Sequence, residues 1–334
     1  MKTLFVYIVD EKDQAVLAGL PAAEWLKKGL GDLPSRVIKE GEGSPPPISE
    51  YFALLYPSTP LITAQHLLRW VQEIEKRGFC GLEIGKGFLV KTQSYQEGMR
   101  PKRRATDSVA AAVETPAETN AAEKVLYKRI ADLSVQNGAI IPDAESVKID
   151  ALSTVERGAT VEPYCIIKGS CVHSGAVVGS FSELVNAKVG EGAHISRSVI
   201  RDSVVGAGAT VGPFAYIRNQ SDVGEGARIG DFVEIKNSTL GTGVKAAHLA
   251  YVGDASVGEK TNVGCGTVFA NYDGKIKQRT TVGKGVFIGA NTNLIAPVAV
   301  GDNAYIAAAT TVTREVPQGA FVIGRVRAES KQKK

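Results

Sequence analysis

The segment Val205–Ile235, VGAGATVGPFAYIRNQSDVGEGARIGDFVEI, decides the fold. Aliphatic residues stand six apart in it, at Val205, Val211, Ile217, Val223, Ile229 and Ile235, with glycine directly after Val205, Val223 and Ile229. A hexad held this long is a signature of a parallel β-helix. Each hexad supplies a short strand and a turn; the aliphatic side chain enters the axial core, and glycine tolerates the turn geometry.

The same register extends outward in both directions. Upstream it holds at Ile149, Val155, Val161 and Ile167; downstream it holds at Val257 and Val263, then at Val282, Ile288, Leu294, Val300, Ile306 and Val312. Its breaks are informative. Val263 and Val282 are nineteen residues apart, which is not a multiple of six, and FANYDGKIKQRTT between them lacks most inward aliphatics. A loop leaving the coil there would carry Asn271, Tyr272, Lys275, Lys277 and Arg279 outward. A second irregularity, Lys245 to Tyr251, contains His248.

Residues 1–97 spell a small α/β domain. Leu4–Val9 is an apolar run fit for a strand buried on both faces. Pro21 opens one helix, Thr63 is the N-cap of a second that runs to about Lys76, and Gly87–Val90 is a late strand. Residues 98–120 are polar and hold two prolines, so they are expected to be a flexible linker. A connecting helix follows in 121–138, with Val125, Ile130 and Leu133 on its buried face; the β-helix occupies 139–327 and a basic tail 328–334.

Thirty-six glycines and two tryptophans favour turns over helices, and 334 residues suffice for two cores. A net charge of +4 is too small to argue for nucleic acid. Cys80, Cys165, Cys171 and Cys265 show no CxxC spacing, the N-terminus lacks a signal-peptide apolar core, and no apolar run nears the roughly 20 residues that span a bilayer. The expectation is a cytoplasmic protein without nucleic-acid or membrane partners. His66 is expected to pack in its helix, and His173 and His194 to be turn residues or fillers of the β-helix. His173, His194 and His248 lie too far apart in sequence to suggest a zinc site of the carbonic-anhydrase type, and no metal is assigned.

From about Ala121 to Arg327 the chain resembles the acetyltransferase half of the bacterial bifunctional N-acetylglucosamine-1-phosphate uridyltransferase/glucosamine-1-phosphate N-acetyltransferase family. The segments that carry the likeness are GPFAYIR (Gly212–Arg218), IGDFVEIKNSTLG (Ile229–Gly241), HLAYVGDASVG (His248–Gly258), NVGCGT, NYDGKIK and APVAVGD. The resemblance implies a mainly β fold, a left-handed parallel β-helix of hexapeptide repeats, assembled as a homotrimer with active sites between subunits. It also implies acetyl-CoA as co-substrate, glucosamine 1-phosphate as acceptor, and no metal for acetyl transfer.

Residue by residue, the resemblance places His248 as general base, and imidazole, with an ordinary pKa of about 6.5, suits that role. Arg218, Lys236, Tyr251, Asn262 and Lys277 fall on sugar-phosphate positions. Asn271 and Tyr272 fall beside the acetyl group, with Asn271 polarising its carbonyl. Cys265, Ala290, Ala308 and Arg325 fall on coenzyme positions. Ala290 replaces a common serine, and Ile276 a usual polar residue.

The N-terminal domain resembles a shortened, degenerate nucleotidyltransferase. Ala18–Leu26 and Tyr56–Ile62 are similar to that family's segments, yet the glycine-rich phosphate loop is absent. Ser58 and Lys91 stand where two metal ligands belong. Uridylyl transfer is expected to be lost, so that a separate uridylyltransferase would have to complete UDP-N-acetylglucosamine. The other readings are acylation of another amino-sugar phosphate or nucleotide sugar, and a non-catalytic trimeric scaffold.

Overall fold

A computed structural model describes residues 2–11, 14–40, 42, 48–330 and 332. It divides into two compact units, Met1–Arg129 and Ile130–Lys334. Residues 331, 333 and 334 of the expected basic tail lie outside the described residues.

The first unit is built on a five-stranded sheet. Its order is Ser35–Lys39, Leu4–Asp10, Tyr51–Leu55, Gly87–Lys91, Gly81–Ile84; the first three strands run parallel, and Gly87–Lys91 is antiparallel to both of its neighbours. The apolar run at Leu4 is explained by its two faces. Leu4, Val6 and Ile8 join one buried cluster, with Trp70 and Ile74 of helix Ala64–Arg77, while Tyr7 and Val9 join another with Phe52 and Val90. The helix after Pro21 spans Ala22–Leu30. His66 does more than pack: its Nδ1 accepts the Thr63 N–H at 3.1 Å, so it caps its own helix.

The segment expected as a linker differs. Glu83 N–H donates to Arg103 O, Val113 N–H donates to Ser58 O, and Ala110 is buried, so residues 103–113 pack along the sheet unit. The connecting helix also starts earlier, spanning Pro116–Gln136. Thr115 and Glu118 form its capping box, the Thr115 N–H donating to Glu118 Oε2 at 2.8 Å and the Glu118 N–H to Thr115 Oγ1 at 3.3 Å, with Pro116 at the first helical position. Ala122, Leu126 and Ala131 are its buried residues and Ile130 is partly buried, whereas Val125 and Leu133 are exposed.

The second unit is the β-helix, a left-handed hexapeptide-repeat solenoid of about ten turns. Its strands stack in parallel register into an 18-stranded and a 9-stranded sheet. Ile149, Ile167, Leu184, Ile200, Ile217, Ile235, Val252, Phe269, Leu294 and Val312 form one inward column, all buried. Neighbours in it are sixteen to eighteen residues apart except where Phe269 is followed by Leu294, because some sides of the triangle take five residues rather than six, as from Ile235 to Leu240. Val263 is followed inward by Phe269 and then Val282; the extra residues between these two leave as the expected loop.

Two strands are exceptional in length. Arg228–Lys236 and Lys245–Gly253 each run without interruption around a corner, pairing Arg228 with Lys245, Asp231 with His248 and Lys236 with Gly253. They merge two faces of the solenoid and fix the surroundings of His248.

Candidate active site

Register places chemistry one coil apart. His248 lies across from Asp231, and its Nδ1 is 2.7 Å from Asp231 Oδ1. A carboxylate only accepts, so Nδ1 carries the proton and the Nε2 lone pair is left free. The same hydrogen bond holds the Asp231 carboxyl below the usual carboxylate range. The imidazole is 60% exposed, so a substrate amine has access to it.

A buried cluster gathers where these two strands and the strand Val268–Ala270 end. Lys236 Nζ donates to both carboxylate oxygens of Asp254, at 2.8 and 2.9 Å. Asn237 Nδ2 donates to Asp254 Oδ1 at 2.6 Å, and Asn271 Nδ2 donates to Asp254 Oδ2. Burial pushes the Asp254 carboxyl up, but the hydrogen bonds from Lys236, Asn237 and Asn271 outweigh it and its pKa lies below the ordinary value. Asn271 Nδ2 is also 3.4 Å from the Tyr251 hydroxyl. Lys236, Asn237 and Lys277 line a shallow cleft of about 400 Å³ with Asp202, Asn219 and Gln220.

Arg218 is the register partner of Lys236 on the preceding coil. Its Nε donates to Glu234 at 2.8 Å and its guanidinium lies 5.4 Å from the Tyr216 ring centroid. The expected outward loop is a tight turn: Tyr272 bridges to Lys277, and Asp273 Oδ1 accepts the N–H groups of Lys275 and Ile276. Tyr272 is exposed. Two of the residues expected to move outward do not. Asn271 is buried on Asp254, and Arg279 Nη2 donates to Ala255 O at 2.9 Å on its own solenoid, because the chain has rejoined the coil by Thr280.

The coenzyme candidates form a separate exposed column. Ala309 N–H donates to Ala290 O, Asn291 N–H donates to Cys265 O, and Arg325 Nη1 donates to Ala308 O at 2.8 Å, which sets Cys265, Ala290, Ala308 and Arg325 on successive coils. Asn262 pairs with Lys245 and Phe287, and among the described residues no hydrogen bond ties it to the Asp254 cluster.

Sequence reasoning named His248, Lys236 and Asn271 but missed Asp231 and Asp254, which hold them. The signal was spacing by one coil: Asp231 precedes His248 by seventeen residues and Asp254 follows Lys236 by eighteen.

The fold and site define a hexapeptide-repeat protein: residues 202–237 and 279–314 match the bacterial transferase hexapeptide (six repeats) family. Over about two-thirds of its length the chain is similar to proteins called bifunctional protein GlmU. It is 47% identical over 221 residues to that protein of Clostridium botulinum (strain Langeland), covering 66% of this chain and 48% of the relative. To the Listeria welshimeri protein of the same name it is 41% identical over 211 residues, 63% of this chain and 46% of the relative. The chain thus spans about half the length of the curated relatives it matches. Among solved structures, a UDP-N-acetylglucosamine acyltransferase from Francisella novicida aligns with 17% identity and a TM-score of 0.42, over 53% of this chain and 66% of that one.

Proposed function

We propose that the chain transfers the acetyl group of acetyl-CoA to the amine of α-D-glucosamine 1-phosphate, in the cytoplasm, as the acetyl half of UDP-N-acetylglucosamine synthesis. The observations that carry this are the His248–Asp231 pair and the Lys236–Asp254–Asn271 cluster, with Lys236 five residues beyond Asp231 on the strand Arg228–Lys236. The neutral amine attacks the thioester carbonyl; its proton passes to His248 Nε2, while Asp231 holds Nδ1–H and stabilises the imidazolium. The tetrahedral intermediate collapses with expulsion of coenzyme A, whose thiolate takes the proton back.

Arg218, Lys236 and Lys277 supply the cationic donors that a phosphate monoester requires. Asn271 and nearby N–H groups polarise the carbonyl, with Tyr251 and Asn262 on the sugar. The Cys265–Ala290–Ala308–Arg325 column and Tyr272 take the coenzyme. Ala290 offers no side-chain hydrogen bond there, a modest loss of about 0.5–1.5 kcal/mol. The chemistry needs a base and carbonyl-polarising donors and has no step that calls for a metal.

An exposed ridge supports the homotrimer. Tyr164, Phe181, Phe214, Phe232 and Leu249 stand at corners along one edge, with Arg197 at the corner between Phe181 and Phe214; each of the five has positive φ and is more than half exposed, and Phe232 and Leu249 adjoin Asp231 and His248. Bulky residues held in that conformation are strained, as at sites kept for function. Phe214→Ser with Phe232→Ser is expected to shift the sedimenting species from trimer to monomer; an unchanged trimer would remove the ridge from the interface.

The N-terminal unit supports loss of uridylyl transfer. Lys91 is held by Glu75 at 3.6 Å, and the Ser58 hydroxyl is buried without a hydrogen-bond partner. Neither replaces a carboxylate or amide ligand for magnesium. A separate uridylyltransferase would then act on the product. Mass spectrometry after incubation with acetyl-CoA and glucosamine 1-phosphate should show N-acetylglucosamine 1-phosphate. UTP with that product should yield no pyrophosphate; pyrophosphate release would overturn the assignment of the N-terminal unit.

A further inference from the structure

Within the first unit, a cavity of about 1220 Å³ opens where the parallel strands end. Asp10 closes the strand Leu4–Asp10, Lys39 closes Ser35–Lys39, and Pro57 and Ser58 follow Tyr51–Leu55; all of them line the cavity. The chain steps from Leu4–Asp10 to Ser35–Lys39 on one side and returns to Tyr51–Leu55 on the other, so the strand order reverses there. Open α/β sheets bind ligands in such a crevice, at the carboxyl ends of strands where the order reverses. Val113 and Glu114, from the segment that packs along the sheet unit, add to its wall.

The lining decides the ligand. Crevices of this kind commonly hold phosphate on the first N–H groups of the following helix. Here the first two are already used: the Ala22 N–H donates to Ala15 O, and the Ala23 N–H donates to Gln14 Oε1 at 3.1 Å. Charge points the same way. Among the described lining residues, the carboxylates of Asp10, Glu11, Glu40 and Glu114 stand against the ammonium groups of Lys39 and Lys86. Lys86 Nζ lies 3.5 Å from Glu11 and 3.6 Å from Glu114, which hold its ammonium above the ordinary lysine range. One cation thus already sits between carboxylates, and the lining keeps an excess of negative charge. Leu17, Pro57, Pro60 and Val113 supply apolar wall. Ser58 lines the cavity as well, and its hydroxyl is buried without a hydrogen-bond partner among the described residues, a cost that a donor from a ligand would relieve.

We propose that this cavity binds an aliphatic polyamine, a chain of ammonium groups separated by methylene stems. The ammonium heads pair with Asp10, Glu40 and the carboxylates beside Lys86, and the stems cover the apolar wall. A single ion pair near water contributes little, so a ligand with several heads and buried methylenes between them is the one that gains enough. A phosphate-bearing ligand would meet the excess of carboxylates instead. The whole chain carries a net charge of +4, which opposes adsorption of a polyamine by bulk electrostatics and makes the local lining responsible for binding. The site lies wholly in the first unit and does not rest on the acetyl-transfer reading.

The test is calorimetric titration of the full chain with spermidine. The expected result is one spermidine per chain at low ionic strength, with affinity that weakens steadily as salt is added, because ion pairs at a cavity mouth are screened. Asp10→Asn combined with Glu40→Gln should weaken binding about tenfold or more. Both side chains are exposed, so the double variant should keep the parental thermal midpoint, and Glu40→Lys alone gives a second reading of the same charge. Glu97→Gln, which removes an exposed carboxylate of the same unit outside the cavity, should bind spermidine as the parent does. An uncharged stem, 1,8-octanediol, should not bind, and UTP should not displace spermidine. No binding by the folded chain would overturn the inference. So would an equal loss in Glu97→Gln, displacement by UTP, or binding of the diol with the affinity of spermidine.

Discussion

Asp231 shows how a side chain with no role legible in its own segment sets the behaviour of one that has. Its carboxylate takes the Nδ1 proton of His248 and leaves Nε2 to act as the base. Asp231→Asn removes the charge that stabilises the imidazolium. The expected outcome is a 10–100-fold lower kcat, little change in KM for acetyl-CoA, and a displaced acid limb in the pH–rate profile. A variant with the parental profile would reduce Asp231 to a packing role. The identities of His248, Lys236 and Asn271 were legible because their segments resemble a known family. The partners were not: they lie a coil away, and the coil length varies between sixteen and eighteen residues, as five-residue sides replace some of the hexads. Thr115 and Glu118 repeat the lesson in the α/β unit, where a capping box in plain sight extends a helix into residues that polarity alone assigned to a linker.

At the scale of elements, the two long strands are the part of the fold that the site depends on. Gly230 leaves no room for a side chain between them: a Cβ there would fall 1.8 Å from Ala247 O. Gly230→Ala must therefore push the backbone just before His248 away from Asp231. A clear drop in the thermal midpoint with a fall in kcat of at least tenfold is expected, while Gly226→Ala, whose added Cβ meets nothing, should lose stability to its positive φ but keep kcat. Equal kcat in both variants would show that the corner does not position the base. The hexads were enough to announce the solenoid, since inward aliphatics at fixed spacing have few other uses. They did not announce that Phe269 would replace an aliphatic in the column, nor that Asn271 and Arg279 would stay on the coil; Phe269 and Asn271 are buried beside the inserted turn, and Arg279 is held by its hydrogen bond to Ala255 O.

For the β-helix, stability is a sum over stacked coils, and some coils are tied to a neighbour by an anchored carboxylate. Glu156, Glu162, Asp231 and Asp254 all have folded-state pKa values below their ordinary ones, through hydrogen bonds one coil away, against burial in the case of Asp254. A lowered folded value stabilises the protein above the unfolded value of about 4 and loses that contribution as pH falls through the folded one. Urea midpoints of the cooperative β-helix transition are thus expected to hold steady from pH 7 to about 5 and to drop steeply below 4, less so in Asp254→Asn. A flat profile to pH 3 would contradict this account.

The central claim is amine acetylation with His248 as base, and the initial rate of free-thiol release from acetyl-CoA with glucosamine 1-phosphate tests it most directly. The native chain should release thiol only when the amino sugar is present, and His248→Ala should cut kcat by 10²–10⁴ while retaining its fold. Thiol release that is indifferent to His248, or none from folded native protein, would contradict the claim.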